Sequence, residues 1–168
     1  MGRVSRTSLP DGLFHVVSRG VFGTEVFGDQ RDRLRFLRLL ASCERLHGWT
    51  CHAYCLMTTH YHLVVETRRQ DLSRGVHRLN GRYAIAFNRR YGRFGHLFAE
   101  RFSARVVESE DYLFDACAYV VLNPVRAGLC VRAEDWPWSY SRYGLARSLS
   151  RVTAGPCWLP CRTTWRRA

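Results

Sequence analysis

Two apolar segments separated by only two residues place the strongest constraint on the fold. Residues 50–57, TCHAYCLM, and residues 60–66, HYHLVVE, have the composition of β-strands, and only Thr58 and Thr59 lie clearly between them. A connection this short is typical of an antiparallel hairpin. The sequence therefore predicts that these two segments are neighbours in one sheet.

The other elements follow from apolar periodicity, caps and breakers. We predict a strand at residues 13–20, a helix from a cap at Asp29 to about Gly48, a helix from a cap at Asp71 to about Arg90, a strand at residues 101–108, and a helix from near Ser109 to Asn123. The last helix is expected to end there because Pro124 disfavours helical geometry in the residue before it.

The resulting order, β-α-β-β-α-β-α, predicts an α+β fold. Its first six elements are those of a ferredoxin-like β-α-β-β-α-β sandwich, with helices packed on one face of the sheet, and the last helix is an addition that bears Tyr119. We expect one domain over residues 1–144, followed by a basic, Arg- and Ser-rich tail over residues 145–168.

The charge balance indicates a polyanionic partner. The chain has 26 basic residues, all arginine, against 14 acids, which gives a formal net charge of +12. Guanidinium groups match phosphate oxygens in pairs, so we expect nucleic-acid binding, with a merely basic protein as the alternative. No apolar run approaches the length of about 20 residues needed to span a bilayer, so we expect a cytoplasmic protein with no membrane partner.

The cysteines do not predict a disulfide framework or a zinc site. Their number, seven, is odd, and the pairs Cys51/Cys55 and Cys157/Cys161 have a C-x3-C spacing. Zinc sites more often use C-x2-C, and Cys51 and Cys55 fall in an apolar segment, where a free cysteine acts as a small hydrophobe.

The second predicted helix separates apolar and basic residues onto opposite faces. One face holds Leu72, Val76, Leu79, Tyr83, Ala86 and Phe87, and the other holds Arg74, Arg78, Arg82 and Arg89. Like charges one turn apart repel, and no acid follows Asp71 before Arg93. We predict that a phosphate backbone supplies the missing negative charge, with a solvated helix face as the alternative.

His60 and His62 are candidate metal ligands. Alternate residues of a strand point to the same side of the sheet, so both imidazoles face one way, roughly 6–7 Å apart along the strand. That spacing allows two ring nitrogens to meet on one ion, although buried histidines also occur as ordinary core residues.

The last predicted helix adds a possible nucleophile and a third ligand. Tyr119 and Asn123 are four residues apart and share a helical face. The Asn123 carbonyl oxygen suits Mg²⁺ or Mn²⁺, and a metal bound to a phosphodiester would make it easier for the Tyr119 hydroxyl to attack.

With these residues in place, the chain resembles the HUH single-tyrosine transposases of the IS200/IS605-like group, and most of all their REP-associated branch. The matching segments span residues 13–143: FHVVSRG, the HYH motif, HRLNGRYAIAFNRRYGRFGHLF, YVVLNPVRAG and WPWSYSRY. The resemblance assigns the nucleophile to Tyr119 and the metal ligands to His60, His62 and Asn123. Val121 stands where the family often has His, and Thr58-Thr59 replaces a common Pro-Asn.

The resemblance implies a metal-dependent enzyme that cuts single-stranded DNA beside imperfect hairpins. The tyrosine would become linked to a 5′ phosphate and leave a free 3′ hydroxyl, so that rejoining needs no ATP. The lack of a G-x-x-x-x-G-K-[ST] loop agrees with an absence of nucleotide cofactor. The alternatives are a hairpin-DNA-binding protein without catalysis and a small metal-dependent ribonuclease. We expect a monomer rather than a homodimer.

Several further residues have two interpretations each. His15 and His52 are more typical of structure than of a site, His96 is a possible DNA contact, and Glu66 is a possible orienting group or base. Tyr112 is the rival nucleophile, but Ala116, not a carboxamide, lies four residues after it. The remaining candidates are phosphate contacts at Arg19, Arg101 and Arg105, base stacking or core packing at Trp136 and Trp138, and DNA contacts by the tail at Arg162, Arg166 and Arg167.

Overall fold

The computed structural model describes residues 11–99 and 101–144, so the predicted tail over residues 145–168 lies outside the described residues. The strands are Gly12–Arg19 (β1), Thr50–Leu56 (β2), His60–Thr67 (β3), Ser103–Val107 (β4) and Ser139–Ser141 (β5). The α-helices are Gln30–His47 (α1), Arg69–Tyr91 (α2), Glu110–Val121 (α3) and Asn123–Arg126 (α4), and short 3-10 turns lie at Val21–Gly23 and Ala133–Asp135.

The strands form one antiparallel sheet in the order β4-β1-β3-β2-β5. The first four strands have the order expected of a ferredoxin-like sandwich, which confirms the predicted α+β fold and the β2–β3 hairpin. The fifth strand was not predicted. It adds three residues to the free edge of β2, with Tyr54 opposite Tyr140.

Each face of the sheet has its own apolar core. On one face, Tyr61, Leu63 and Val65 of β3 pack with apolar residues of α1 and α2. On the other face, Val64 packs with residues of α3 such as Ala116. Because side chains alternate along a strand, His60 and His62 share the face of Val64 and therefore lie under α3.

Local chemistry explains the ends of α1. The Asp29 side chain accepts a hydrogen bond from the backbone N of Asp32, which satisfies one of the free N–H groups of the first turn. The helix ends at Gly48, whose φ of 61° is a left-handed conformation that glycine adopts without strain. Both predicted ends are confirmed.

Two predicted helix boundaries were wrong. The second helix begins at Arg69 after Arg68, so Asp71 lies in its first turn and does not cap it. The negative carboxylate of Asp71 still interacts favourably with the partial positive charge at the N-terminus of the helix. The third helix ends at Val121, not at Asn123, and Asn123 begins α4. Pro124 can start a helix because the first turn needs no N–H donor from it.

The packing of α2 depends on a glycine. Its buried residues include Leu72, Val76 and Leu79, as the periodicity predicts, together with Gly75. A Cβ at position 75 would lie 2.2 Å from a ring atom of Trp49, which is buried. The helix can therefore approach Trp49 this closely only with glycine at that point.

Candidate active site

His60 and His62 lie side by side at the start of β3. Their ring centroids are 5.0 Å apart, and the rings are inclined by 75°. His62 is buried, whereas His60 is partly exposed and its Nδ1 lies 3.1 Å from the Thr59 hydroxyl. The two imidazoles therefore face one side of the sheet, as the alternation of strand residues predicts.

A third histidine, His15 of β1, contacts this pair. Its Nε2 lies 3.0 Å from Nδ1 of His62, and the two rings stack with centroids 5.3 Å apart. From the sequence, His15 is more typical of a structural residue than of a site residue. Its partner His62 lies 47 residues away, so local patterns could not reveal the contact. The structure places His15 against the proposed site, in a position compatible with either role.

The hydrogen bond between His15 and His62 uses Nδ1 of His62 and fixes the orientation of the ring, and therefore of Nε2. Nε2 of His62 is buried and has no hydrogen-bond partner among the described residues. When Nδ1 of His62 holds the proton and donates it to His15, Nε2 keeps its lone pair. A buried, oriented imidazole nitrogen of this kind is the chemistry that a metal ligand requires.

Tyr119 completes the cluster from above the sheet. It lies on α3, which packs on the sheet through Ala116, Cys117 and Val120. The Tyr119 ring is 5.7 Å from the ring of His15 and 6.1 Å from that of His62, edge-on to both. The predicted nucleophile and the histidine pair therefore meet within a single chain.

The carboxamide of Asn123 is oriented by a break in the helix. Pro124 has no N–H, so the Val120 carbonyl lacks its normal donor four residues later. Nδ2 of Asn123 lies 3.4 Å from the backbone carbonyl oxygen of Val120 and donates to the backbone carbonyl oxygen of Tyr119 at 2.9 Å. These bonds engage the nitrogen end of the amide and leave the carbonyl oxygen as the end that could bind a cation.

The predicted metal ligands do not form a typical structural zinc site. The described residues contain no group of three or more His, Cys, Asp or Glu side chains placed to hold a metal. The predicted set combines two imidazoles with one amide oxygen, and the unpartnered Nε2 of His62 is consistent with a ligand position. The amide oxygen of Asn123 is the member of this set that suits Mg²⁺ or Mn²⁺.

Arg126 lies at the candidate site and was not among the predicted residues. Its guanidinium carbon lies 4.8 Å from the centroid of the Tyr119 ring. The signal was present in the sequence, because Arg126 follows Tyr119 by seven residues, or two helical turns, and so shares its face. A cation over the ring is attracted by its π-electrons and places positive charge beside the tyrosine, where a phosphate could pair with it.

Two predicted phosphate contacts lie beside the histidines. Arg19 is opposite His60 in the sheet, and Arg105 is opposite His15; both side chains are exposed. The structure therefore brings these two arginines to the edge of the cluster, where they add positive charge.

Burial and nearby cations keep the three imidazoles neutral. Burial, followed by the charge of Arg105, lowers the pKa of His15 from 6.5 to about 4. Burial and Arg19 lower the pKa of His60 to about 4, and burial with the neighbouring histidines lowers the pKa of His62 well below 6.5. Near neutral pH all three are available as lone-pair donors.

The arginines of α2 do not reach this cluster. Arg74, Arg78, Arg82 and Arg89 lie on a helix that packs against the opposite face of the sheet. Arg74 has a counter-charge after all, because Asp71 lies 3.9 Å away. Arg101 is exposed in the connection before β4. If the α2 arginines bind phosphate, they do so on a second surface.

The other candidates occupy different places. His52 lies near the far end of the hairpin from His60 and contacts Glu66 and Tyr143, and His96 is exposed in a loop. Tyr112 lies in the first turn of α3, about two turns from Tyr119. Trp136 and Trp138 pack around Arg33 of α1, which agrees with a role in holding the C-terminal segment on the core.

Comparison with known proteins identifies relatives in sequence and in structure. A family model described as "Transposase IS200 like" matches residues 10–122, most of the chain. A solved structure titled "Structure of the REP associates tyrosine transposase bound to a REP hairpin" is similar with a TM-score of 0.70 and 18% sequence identity. The match covers 89% of this chain and 88% of the other. No curated protein matches the sequence significantly.

Proposed function

This chain belongs to the IS200-like transposase family, and from that premise we propose that it is a metal-dependent single-stranded DNA endonuclease and strand transferase that acts beside DNA hairpins. One observation supports the proposal most strongly. The Tyr119 ring lies edge-on to His15 and His62, while the Arg126 guanidinium covers the same ring. A nucleophile, lone-pair donors and a fixed cation are thus close enough to act on one phosphodiester.

The reaction uses Tyr119 as the attacking group. Its Oη forms a bond to phosphorus, the bond from phosphorus to the 3′ oxygen breaks, and the strand ends as a free 3′ hydroxyl. The phenolic proton leaves to solvent, and the 3′ oxygen takes up a proton. The product is a 5′-phosphotyrosine. Attack by a 3′ hydroxyl reverses the step, restores Tyr119 and rejoins DNA with no external energy source.

The chain's own residues stabilise charge during this step. Arg126 lies over the Tyr119 ring, so its guanidinium is placed to stabilise the negative charge that develops on the phosphate oxygens in the transition state. Arg19 and Arg105 are exposed and lie opposite His60 and His15 in the sheet, so each can bind a phosphate of a strand that reaches the cluster. The imidazoles of His15, His60 and His62 are neutral near neutral pH, so they add no positive charge and keep their lone pairs.

The proposed metal site consists of His60, His62 and the Asn123 oxygen. Mg²⁺ or Mn²⁺ bound there would act as a Lewis acid on the phosphate oxygens. The hydrogen bond between His62 and His15 keeps the His62 ring in one orientation, and the bonds from Asn123 Nδ2 to backbone carbonyls engage the nitrogen end of its amide.

The proposed substrate is single-stranded DNA that carries a hairpin. The similar solved structure is, by its title, bound to a REP hairpin. The net charge of +12 and the arginines beside the site suit a phosphate backbone. Because histidines and tyrosine come from one chain, the cluster does not need a second copy, which supports a monomer.

A covalent adduct is the direct test. The protein is incubated with hairpin-bearing single-stranded DNA and Mn²⁺, and then separated under denaturing conditions. We expect a slower-migrating protein–DNA species that is lost in Tyr119→Phe and in excess chelator. Tyr112→Phe is the matched control, since it removes a hydroxyl from the same helix and should leave the adduct intact.

Each other outcome has a meaning. An adduct that persists in Tyr119→Phe and disappears in Tyr112→Phe reassigns the nucleophile. Tight hairpin binding with no adduct in any protein would contradict the catalytic proposal and favour the non-catalytic DNA-binding protein.

A further inference from the structure

Phe22 combines a strained backbone with a fully exposed aromatic ring. Its φ of 50° makes it the only non-glycine residue at positive φ in the described part of the chain. Its relative exposure is 106%, so no packing of the ring offsets the strain. A bulky residue in this conformation is uncommon, and such strain is concentrated at functional sites.

The loop that carries Phe22 is hydrogen-bonded to the connection between β2 and β3, just before His60. The backbone N of Gly20 donates to the Thr59 oxygen at 2.8 Å, and the N of Val26 donates to the Thr58 oxygen at 2.9 Å. A Cβ on Gly20 would lie 2.1 Å from the Thr24 oxygen, so the turn closes this tightly only with glycine. The ring of Phe22 is therefore presented to solvent from a well-anchored backbone.

This loop also lies at the edge of the proposed active site. Arg19, three residues before Phe22, is opposite His60 in the sheet, and its charge contributes to the low pKa of that histidine. The loop thus carries an exposed aromatic ring three residues after an arginine that lies opposite His60. Sites for single-stranded DNA combine such groups: the cation binds phosphate and the ring stacks on a base.

We propose that Phe22 stacks on an unpaired base of the bound strand, close to the linkage that Tyr119 attacks. The inference rests on the proposed function, because that function supplies the single strand. An unpaired nucleotide can bind through one flat aromatic ring, which stacks on its base, and one cation, which pairs with its phosphate. Phe22 provides the ring and Arg19 provides the cation. The strain at Phe22 places the ring in position before DNA binds, which reduces the ordering cost of binding.

The test compares two probes of equal phosphate charge. Fluorescein-labelled oligothymidylate of twelve residues and an abasic strand of the same length are titrated with protein in chelator, and anisotropy gives the two dissociation constants. We expect the wild-type protein to prefer the thymidylate strand roughly 5- to 150-fold, the range for one stacked base. Phe22→Asn should lose most of this preference, and Phe22→Tyr should keep it.

Two controls separate stacking from damage to the fold. Asn tolerates positive φ better than Phe, so the melting temperature of Phe22→Asn should be no lower than that of the wild type. Leu46→Asn replaces another exposed apolar residue, in the last turn of α1 at the far end of the sheet from His60, and should keep the preference.

The proposal is overturned if Phe22→Asn keeps the thymidylate preference, if Leu46→Asn loses it equally, or if Phe22→Asn melts at a lower temperature. These measurements are made without metal and do not depend on cleavage. A wild-type protein that prefers thymidylate through Phe22 but forms no Tyr119 adduct would retain the stacking site and lose the proposed enzymatic function.

Discussion

Replacement of His15 by alanine tests whether the histidine cluster is a metal site or an ordinary polar core. In the structure, Nε2 of His15 and Nδ1 of His62 are 3.0 Å apart, and both side chains are more than 90% buried. His15→Ala leaves Nδ1 of His62 without this partner in a buried position. An unsatisfied buried polar group costs about 1–3 kcal/mol, so the free energy of unfolding should fall by that order.

The same substitution should weaken metal binding. The hydrogen bond to His15 holds the His62 ring in one orientation, and when His62 donates it, the lone pair of His62 lies on Nε2. Loss of an orienting partner of this kind typically lowers metal affinity about 10–100-fold. At about 1.4 kcal/mol for each factor of ten, that is roughly 1.4–2.8 kcal/mol of binding free energy.

His52 provides a matched control. It is 6% exposed, against 7% for His15, and lies on the neighbouring part of the same sheet. Its ring nitrogens lie 3.0 Å from a Glu66 carboxylate oxygen and 2.7 Å from the Tyr143 hydroxyl, so His52→Ala also removes a buried, hydrogen-bonded imidazole. It should lower stability by a similar order but leave metal affinity unchanged.

Urea denaturation in chelator gives the stability of both variants, and calorimetric titration with Mn²⁺ gives their affinities. We expect two destabilised proteins and only one with weakened Mn²⁺ binding. If His15→Ala binds Mn²⁺ as tightly as wild type, or if both variants lose affinity equally, the orienting role of His15 is refuted.

Three other expectations follow from the structure. Gly81→Ala on the open side of α2 should stabilise the protein by about 1 kcal/mol in urea denaturation, whereas Gly75→Ala should destabilise it by about 1–3 kcal/mol as the new methyl group meets a buried ring; equal effects would contradict the packing. In chelator, the free energy of unfolding should fall by about 3 kcal/mol from His15 alone as the pH drops from 6.5 to about 4. The reason is that His15 takes up a proton in the unfolded chain but stays neutral when it is buried in the folded protein. Urea titrations that show no change in stability over this pH range would exclude this effect. Arg105→Ala should slow adduct formation, while Arg82→Ala should only weaken binding and reduce the salt slope by about 1; a slower adduct step in Arg82→Ala at saturating DNA would contradict the separation of the two surfaces.

The parts of the fold that were predicted correctly depend on short-range patterns. The β2–β3 hairpin, the alternation that places His60 and His62 on one face, and the cap at Asp29 all follow from neighbours within a few residues, although the hairpin connection is three residues long and not two as predicted. In each case one physical rule, such as the period of two in a strand, leaves a single reasonable arrangement.

The parts that were missed depend on long-range contacts or on very short elements. The strand β5 has three residues, too few for an alternating pattern, and pairs with β2 more than eighty positions earlier in the chain. The contact of His15 with His62 crosses 47 residues. Neither could be derived from local spacing, because both exist only after the sheet has formed.

The predicted end of the third helix was wrong, but the predicted relative position of Tyr119 and Asn123 did not depend on it. The sequence predicted one helix that reaches Asn123, whereas the structure has α3 ending at Val121 and α4 beginning at Asn123. Leu122, between them, keeps helical angles of −85° and −6°. Rotation per residue is therefore nearly preserved across the break, and Asn123 still lies one turn after Tyr119. The placement of Asn123 on the face of Tyr119 requires continuous helical geometry and not a continuous helix. Pro124 divides the two helices and leaves the Val120 carbonyl without its usual donor. The Asn123 amide directs its nitrogen to the backbone oxygens of Tyr119 and Val120, so its own oxygen is the end that could bind a cation.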